Sequence, residues 1–138
     1  MSLRVRRRVS SHRKVLSQQT IGVAVQEGAE ALVVSDMPYN LANHRLIVQL
    51  ASEGRLPAIY PWREPVETGG LMAYFFEFAD LSRHLARQLD LILKGAKPGE
   101  VPIRQPTRFL LSINVKAAKT LGLTVPVSLL ATADEVIE

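Results

Sequence analysis

The side chains able to do chemistry in this 138-residue sequence gather in three short segments. Ser35 to Asn40 carries Asp36, Tyr39 and Asn40; Tyr60 to Glu64 carries Tyr60, Trp62, Arg63 and Glu64; the third segment centres on Gly69-Gly70. A carboxylate from Asp36 or Glu64 neutralises an ammonium group, and the Arg63 fork can hold a carboxylate through two parallel hydrogen bonds. Tyr39, Tyr60 and Trp62 offer faces on which a ring stacks. These are the needs of a small, amino acid-like ligand that is bound and not transformed. The candidate ligand-binding set is therefore Asp36, Tyr39, Asn40, Tyr60, Arg63, Glu64, Gly69 and Gly70. Each member also has a structural reading. Asp36 before Met37-Pro38 can form an Asx-turn, Asn40 can cap a helix, and Arg63 and Glu64 can be solvated surface charges. Trp62 serves equally as a packed anchor, and Gly69-Gly70 as a tight turn or a close backbone approach.

Catalytic constellations are missing from the sequence. It contains no Gly-x-Ser-x-Gly elbow, no Walker loop and no Gly-x-Gly-x-x-Gly, and His12, His44 and His84 fall in three separate segments. Cysteine is absent, which excludes disulfides, thiolate metal sites and a cysteine nucleophile. The reading is of a binding protein and not an enzyme, with neither cofactor nor metal.

Three candidate segments need a scaffold, and the hydrophobic pattern supplies one. Thr20, Ile21, Ala24 and Val25 share a helical face that ends at Gly28, and Ala31-Leu32-Val33-Val34 is a short apolar run expected to be a strand covered on both faces. Asn40 then caps a helix reaching Glu53, with Leu46, Ile47, Leu50 and Ala51 on one stripe and Gly54 just past its end. Pro57-Ala58-Ile59-Tyr60 reads as the next strand. Strand, helix and strand over so short a span make a βαβ unit with parallel strands. A short helical turn follows within 61–67, then a third strand at Leu71 to Phe75. Asp80 is expected to cap the longest helix, which carries Leu81, Leu85, Leu89, Ile92 and Leu93 and stops at Gly95. Phe109 to Ile113 reads as a strand, followed by short helices at Lys116 to Leu121 and near Ser128. In an open parallel sheet, ligands bind beyond the carboxyl ends of the strands, which is where the three candidate segments are expected.

Composition agrees with one domain. Hydrophobic residues are 47% and charged residues 22% of the chain, and no apolar run is long enough to span a membrane. The +4 net charge is concentrated in Arg4, Arg6, Arg7, Arg8, Arg13 and Lys14, leaving a slightly acidic remainder. Residues 1–16 are read as a basic leader, disordered or non-native, and residues 17–138 as a single α/β domain. The leader lacks the apolar stretch of a signal peptide, so no export signal is expected in it. It also lacks the interleaved aromatics of a single-strand binding groove, so nucleic acid binding ranks third among the readings.

The run Leu56-Pro57-Ala58-Ile59-Tyr60-Pro61-Trp62-Arg63-Glu64-Pro65-Val66-Glu67-Thr68-Gly69-Gly70-Leu71-Met72 resembles the ABC-transporter substrate-binding protein family that includes tryptophan/tyrosine-type solute receptors. Ile92 to Pro98, Gln105 to Phe109, Ile113 to Lys116 and Leu121 to Pro126 are similar to its later segments. The resemblance implies a three-layer parallel sheet flanked by helices, a periplasmic-binding-protein-like (type I) lobe with carboxyl-terminal crossover segments. It also implies a small-molecule solute, an ABC permease as partner and a periplasmic or extracytoplasmic location. By the same resemblance the chain is less than half of such a receptor, and its 80–94 helix would pack on a lobe that this sequence does not contain. Two consequences are expected: weak or absent solute affinity in isolation, and a homodimer formed through the 80–94 helix. The alternative is a stand-alone dimeric α/β interaction module that has lost solute binding. Phe75-Phe76-Glu77-Phe78 departs from the family's small, turn-forming residues, so an altered crossover or an apolar contact patch is expected there.

Overall fold

A computed structural model describes residues 18–103 and 105–138, so the basic leader and His12 lie outside the described residues. The chain begins with helix α1 (Gln18–Gln26), strand β1 (Leu32–Val33) and helices α2 (Pro38–Ala42) and α3 (His44–Glu53). Strand β2 (Ala58–Tyr60), helix α4 (Glu64–Glu67), strand β3 (Met72–Phe76) and the long helix α5 (Phe78–Leu93) follow. Strand β4 (Phe109–Asn114), helices α6 (Val115–Thr120) and α7 (Val127–Thr132) and strand β5 (Glu135–Ile137) complete it.

The five strands lie in chain order, β1-β2-β3-β4-β5. β1, β2 and β3 are parallel, as the βαβ pattern requires. β4 corrects the all-parallel expectation, because it runs antiparallel to β3, with Phe109 opposite Phe76. The cause is geometric. The chain leaves the sheet at the end of β3, runs out through α5 and returns to the same end, so β4 can only enter in the reverse direction. β5, which the pattern did not reveal, restores a parallel pair with β4.

Strand alternation divides the side chains between two faces. Val34, Ala58, Tyr60 and Ala73 point to the side of α3 and α4, where they join Ile21, Ile47, Val48, Leu50, Ala51, Leu56 and Val66 in one core. Ile47 and Val66 are wholly buried, each contributing roughly 1.5–3 kcal/mol by removal from water. The opposite face is far less covered. It shields Ile113, but Val33, Tyr74, Phe109 and Val136 remain exposed, Val33 at 79%. The expectation that β1 is covered on both faces is thereby corrected, since a two-residue edge strand has nothing packed over Val33.

Local chemistry shifts several boundaries. Asn40 does not cap the 40–53 helix; it lies inside α2, and its buried amide donates to the Ser35 carbonyl at 3.0 Å and to the Ser35 hydroxyl oxygen at 3.1 Å. Asp80 is not the cap of α5 either, because the helix starts at Phe78 and Asp80 in its first turn pairs with Arg83. Gly28 and Gly95 take positive φ where helices were expected to stop, whereas Gly54 stays right-handed and Arg55 adopts φ 51°. Gly54 serves close approach: a Cβ there would lie 2.9 Å from Val25 Cγ2, so its absence lets α1 rest on the end of α3.

The long helix is the outlier. α5 has no buried residue; Leu85, Leu89 and Leu93 stay exposed along one stripe, and Phe78 is 71% exposed. Gln88 Nε2 ties it to the returning chain by donating to the Pro102 carbonyl at 2.7 Å. No described helix is long and apolar enough to cross a membrane.

Gly70 gives the first test of this packing. A Cβ at this position would meet Tyr60 Cε2 at 2.7 Å and the Pro65 carbonyl oxygen at 2.8 Å. Gly70→Ala is expected to destabilise the chain by about 1–3 kcal/mol, read as a lowered midpoint in urea unfolding, whereas Gly99→Ala, in open space, leaves it near wild type.

Candidate functional site

The parallel strands fix one edge of the sheet as the place where loops converge. Ser35 to Tyr39 leaves β1, Pro61 to Arg63 leaves β2, and Glu77 leaves β3. Because β4 and β5 run the other way, their starts, Arg108-Phe109 and Asp134-Glu135, reach the same edge. This edge carries Asp36, Tyr39, Arg63, Glu64, Glu77, Arg108 and Asp134. An open groove of about 630 Å³ lies along part of it, between the first turns of α5 and the returning 103–108 segment. Glu77, Asp80 and His84 supply polar groups to it, Arg108 a cation, and Phe76, Leu81 and Ile103 apolar walls. His84 Nδ1 is engaged with the Asp80 carbonyl at 2.8 Å, which fixes the ring against its own helix.

Arg63 does grip a carboxylate with two nitrogens, but the carboxylate belongs to the chain. Its Nε donates to Glu135 Oε2 at 2.9 Å and its Nη2 to Glu135 Oε1 at 2.5 Å. Glu67 Oε1 lies 3.4 Å from Nε, and the Ser112 hydroxyl donates to Glu135 Oε2 at 3.1 Å. The register explains the reach. Tyr60, Ala73, Ser112 and Glu135 lie in one row across four strands, and the small side chains of Ala73 and Ser112 leave room for Arg63 to pass over them. The hydrogen bond donated by Arg63 holds the Glu135 carboxyl below the usual carboxylate range, and the same bond to Glu135 raises Arg63. At the start of β5, the Leu111 N–H donates to Asp134 Oδ2 at 2.8 Å, pinning the strand's entry.

The eight candidate residues do not form one cluster. Asp36 is exposed in the loop after β1 and Tyr39 exposed on the first turn of α2, and Arg63 and Glu64 begin the segment after β2. Asn40 is buried and committed to Ser35. Gly69 and Gly70 precede β3, which places them at the end of the sheet opposite those loops. Tyr60 is only 2% exposed; its ring leans toward Gly70 and lines a half-open pocket shared with the two glycines. Trp62 packs partly against the core. Glu77, His84, Arg108 and Glu135 were not singled out from the sequence. Glu135 had no readable signal, since its partner is 72 residues away, but Glu77 lay inside the phenylalanine run that departs from the family pattern.

A family model described as ABC transporter substrate binding protein matches residues 9–137. The chain belongs to this family. Among solved structures, the chain is similar to a conserved domain protein from Vibrio cholerae O1 biovar El Tor, at TM-score 0.79 and 21% identity over 86% of this chain and 40% of that one. It is also similar to an ABC domain from Streptococcus pneumoniae in complex with L-Trp, at TM-score 0.77 and 28% identity over 87% and 41%. A third relative is the ligand-free, open form of a substrate-binding protein with adhesive properties from Clostridium difficile, at TM-score 0.60 and 21% identity over 87% and 40%. No match among curated proteins reaches significance. The chain thus spans about two fifths of the length of the solved structures that it matches. The α/β, periplasmic-binding-protein-like fold expected from the sequence is the fold observed.

The Arg63–Glu135 pair makes a signed pH prediction. A carboxyl with a depressed folded value stabilises the fold above its ordinary value of 4.5 and loses that contribution as pH falls through the folded value. Thermal unfolding followed from about pH 7 down to 3 is therefore expected to show Glu135→Gln less stable than wild type at neutral pH, the gap closing under acid. A gap that stays constant over the whole range would mean that the carboxylate charge does not act there.

Proposed function

We propose that this chain supplies part of the solute-binding component of an ABC importer, which holds a small amino acid-like solute without chemistry and presents it to a membrane permease outside the cytoplasm. The family match over residues 9–137 carries this reading. The L-Trp-bound neighbour supports a solute with ammonium, carboxylate and ring. The groove at the sheet edge has complementary groups: Glu77 and Asp80 for an ammonium, Arg108 for a carboxylate and Phe76, Leu81 and Ile103 for an apolar side chain. Asp36 and Tyr39 stand on the next loops of the same edge. Tyr60, Gly69, Gly70 and Asn40 act in this account as the frame behind the edge, and Arg63 as a tie to β5.

One wall of such a site gives little enclosure, and closure between two lobes supplies much of the grip in receptors of this kind. Calorimetry with L-tryptophan is expected to detect no micromolar binding by the isolated chain. Amide chemical shifts at millimolar L-tryptophan are expected to move at Glu77, Arg108 and Asp36. Micromolar affinity would contradict the need for a second lobe, and shifts absent or confined elsewhere would overturn the placement of the solute.

The bare stripe of α5 favours a second reading, a dimeric interaction module in which α5 of one copy packs on α5 of another. Leu85, Leu89 and Leu93 at successive turns supply the apolar seam. Light scattering is expected to give a dimer mass at high concentration and a monomer mass for Leu85→Glu/Leu89→Glu. A monomeric wild type at high concentration would remove the dimer reading and leave the receptor reading intact.

A further inference from the structure

The groove beside α5 is lined from one face of that helix. Glu77, just ahead of the first turn, is followed at helical spacing by Asp80, Leu81 and His84, and Arg108 faces them from the returning segment. Phe76 and Phe109 are opposed in the sheet, so Glu77 and Arg108 take the next positions beyond the ladder, where no ion pair joins them. The Asp80 carboxylate is engaged by Arg83. Phe76 gives the groove an aromatic wall, with the Phe109 ring edge-on to it at 6.4 Å.

His84 adds a directional group to this groove. It is half-buried, and its Nδ1 lies 2.8 Å from the Asp80 main-chain carbonyl. A carbonyl oxygen only accepts, so the imidazole proton sits on Nδ1, and in the neutral ring Nε2 is left as an acceptor. No described residue bonds Nε2, yet no buried side-chain nitrogen or oxygen lacks a partner among the described residues, so Nε2 is accessible. Nδ1 is turned back on the helix, which leaves Nε2, across the ring, for the groove. Of the other polar side chains there, Gln105 and Thr107 both donate and accept, and Arg108 only donates. His84 Nε2 is the uncharged group among them that accepts without donating.

His84 lies two helical turns beyond Glu77, about 10 Å along the axis. A head group held by Glu77 and Arg108 therefore leaves room for a side chain of indolylmethyl length, lying along Phe76, before Nε2 is reached. From the proton fixed on Nδ1, the accessible Nε2 and this spacing, we infer that His84 is a specificity-determining residue, its Nε2 accepting a hydrogen bond from an N–H or O–H at the outer edge of the solute's ring. This role rests on the solute reading proposed above, whose ligand chemistry it narrows. A ring without such a donor makes the same apolar contact but displaces water from Nε2 and returns no bond for it.

L-tryptophan and its benzothienyl analogue, in which sulfur replaces the indole N–H, test this directly. In the free full chain, the imidazole nitrogen shifts, read at a pH where they report the ring neutral, are expected to show Nδ1 protonated and Nε2 bare. At millimolar ligand both compounds are expected to move the Glu77 and Arg108 amides, and only L-tryptophan to move Nε2 toward its protonated value. L-tryptophan is expected to bind about threefold to tenfold more tightly than the analogue, the contribution of one net hydrogen bond. His84→Leu is expected to erase that preference, and His84→Gln, which keeps an acceptor, to retain part of it. An unprotonated Nδ1 in the free chain, or equal affinities with Nε2 unmoved while the Glu77 and Arg108 amides shift, would overturn the role of His84 and leave the solute reading in place. Failure of both compounds to move those amides would remove the solute reading and the role of His84 with it. The wild-type nitrogen shifts decide the matter even where a variant fails to fold.

Discussion

A sheet packed well on one face only is the constraint on which the rest of this structure depends. The hydrophobic effect rewards removal of apolar surface from water, and here nearly all of that removal happens between the strands and the layer formed by α1, α3 and α4. Ala58, Tyr60 and Ala73 meet Ile47, Val48 and Val66 there, while Val33, Tyr74 and Phe109 on the reverse side stay in contact with solvent. The aromatic side chains of that reverse side make what contacts they can among themselves. Tyr74 stacks on Phe109 at 5.3 Å, and Phe76 meets Phe109 edge-on at 6.4 Å.

That one-sided core divides the molecule into a rigid part and a presented part. Gly70 against Tyr60, Asn114 bridging α4 and α6, and Arg63 reaching over Ala73 and Ser112 to Glu135 lock the strands in register. On α5 no lock of that kind is found among the described residues. α5 carries a clean amphipathic pattern and buries none of its residues, so its helical order owes little to tertiary packing, which ordinarily supplies most of a helix's stability. The groove at its first turns lies where the locked and presented parts meet. A receptor that holds its solute between two bodies has its polar groups at such a junction, which is why the edge and the bare helix belong to one account.

Much of this was readable in the residues because it rests on local periodicity. The β1-α3-β2 crossover followed from two short apolar runs flanking an amphipathic segment, and the leucine spacing of α5 by itself called for a partner surface. Gly28 and Gly95 ended helices as their freedom at positive φ allows. The failures share a different cause, which is that they depend on distant segments. Nothing near Arg63 pointed to Glu135, nothing in Phe109 to Ile113 told its direction, and β5 is three residues long. Asn40 looked like a cap because its type is favoured there, and the competing bond to Ser35 became visible only with the loop closed. The Phe75 to Phe78 run was read as one patch, yet the structure separates it: Phe75 toward the core, Phe76 on the reverse face, Phe78 on α5.

Amide hydrogen exchange on the dilute full chain tests the one-sided architecture most directly, because it reports local opening segment by segment. The account predicts that β2, β3, β4 and α3 exchange slowest and that α5, despite its 16 residues, exchanges far faster than they do. Protection of α5 equal to that of β3 under dilute conditions would contradict it, since the helix would then be packed on its own domain and the division between a locked sheet and a presented helix would fail.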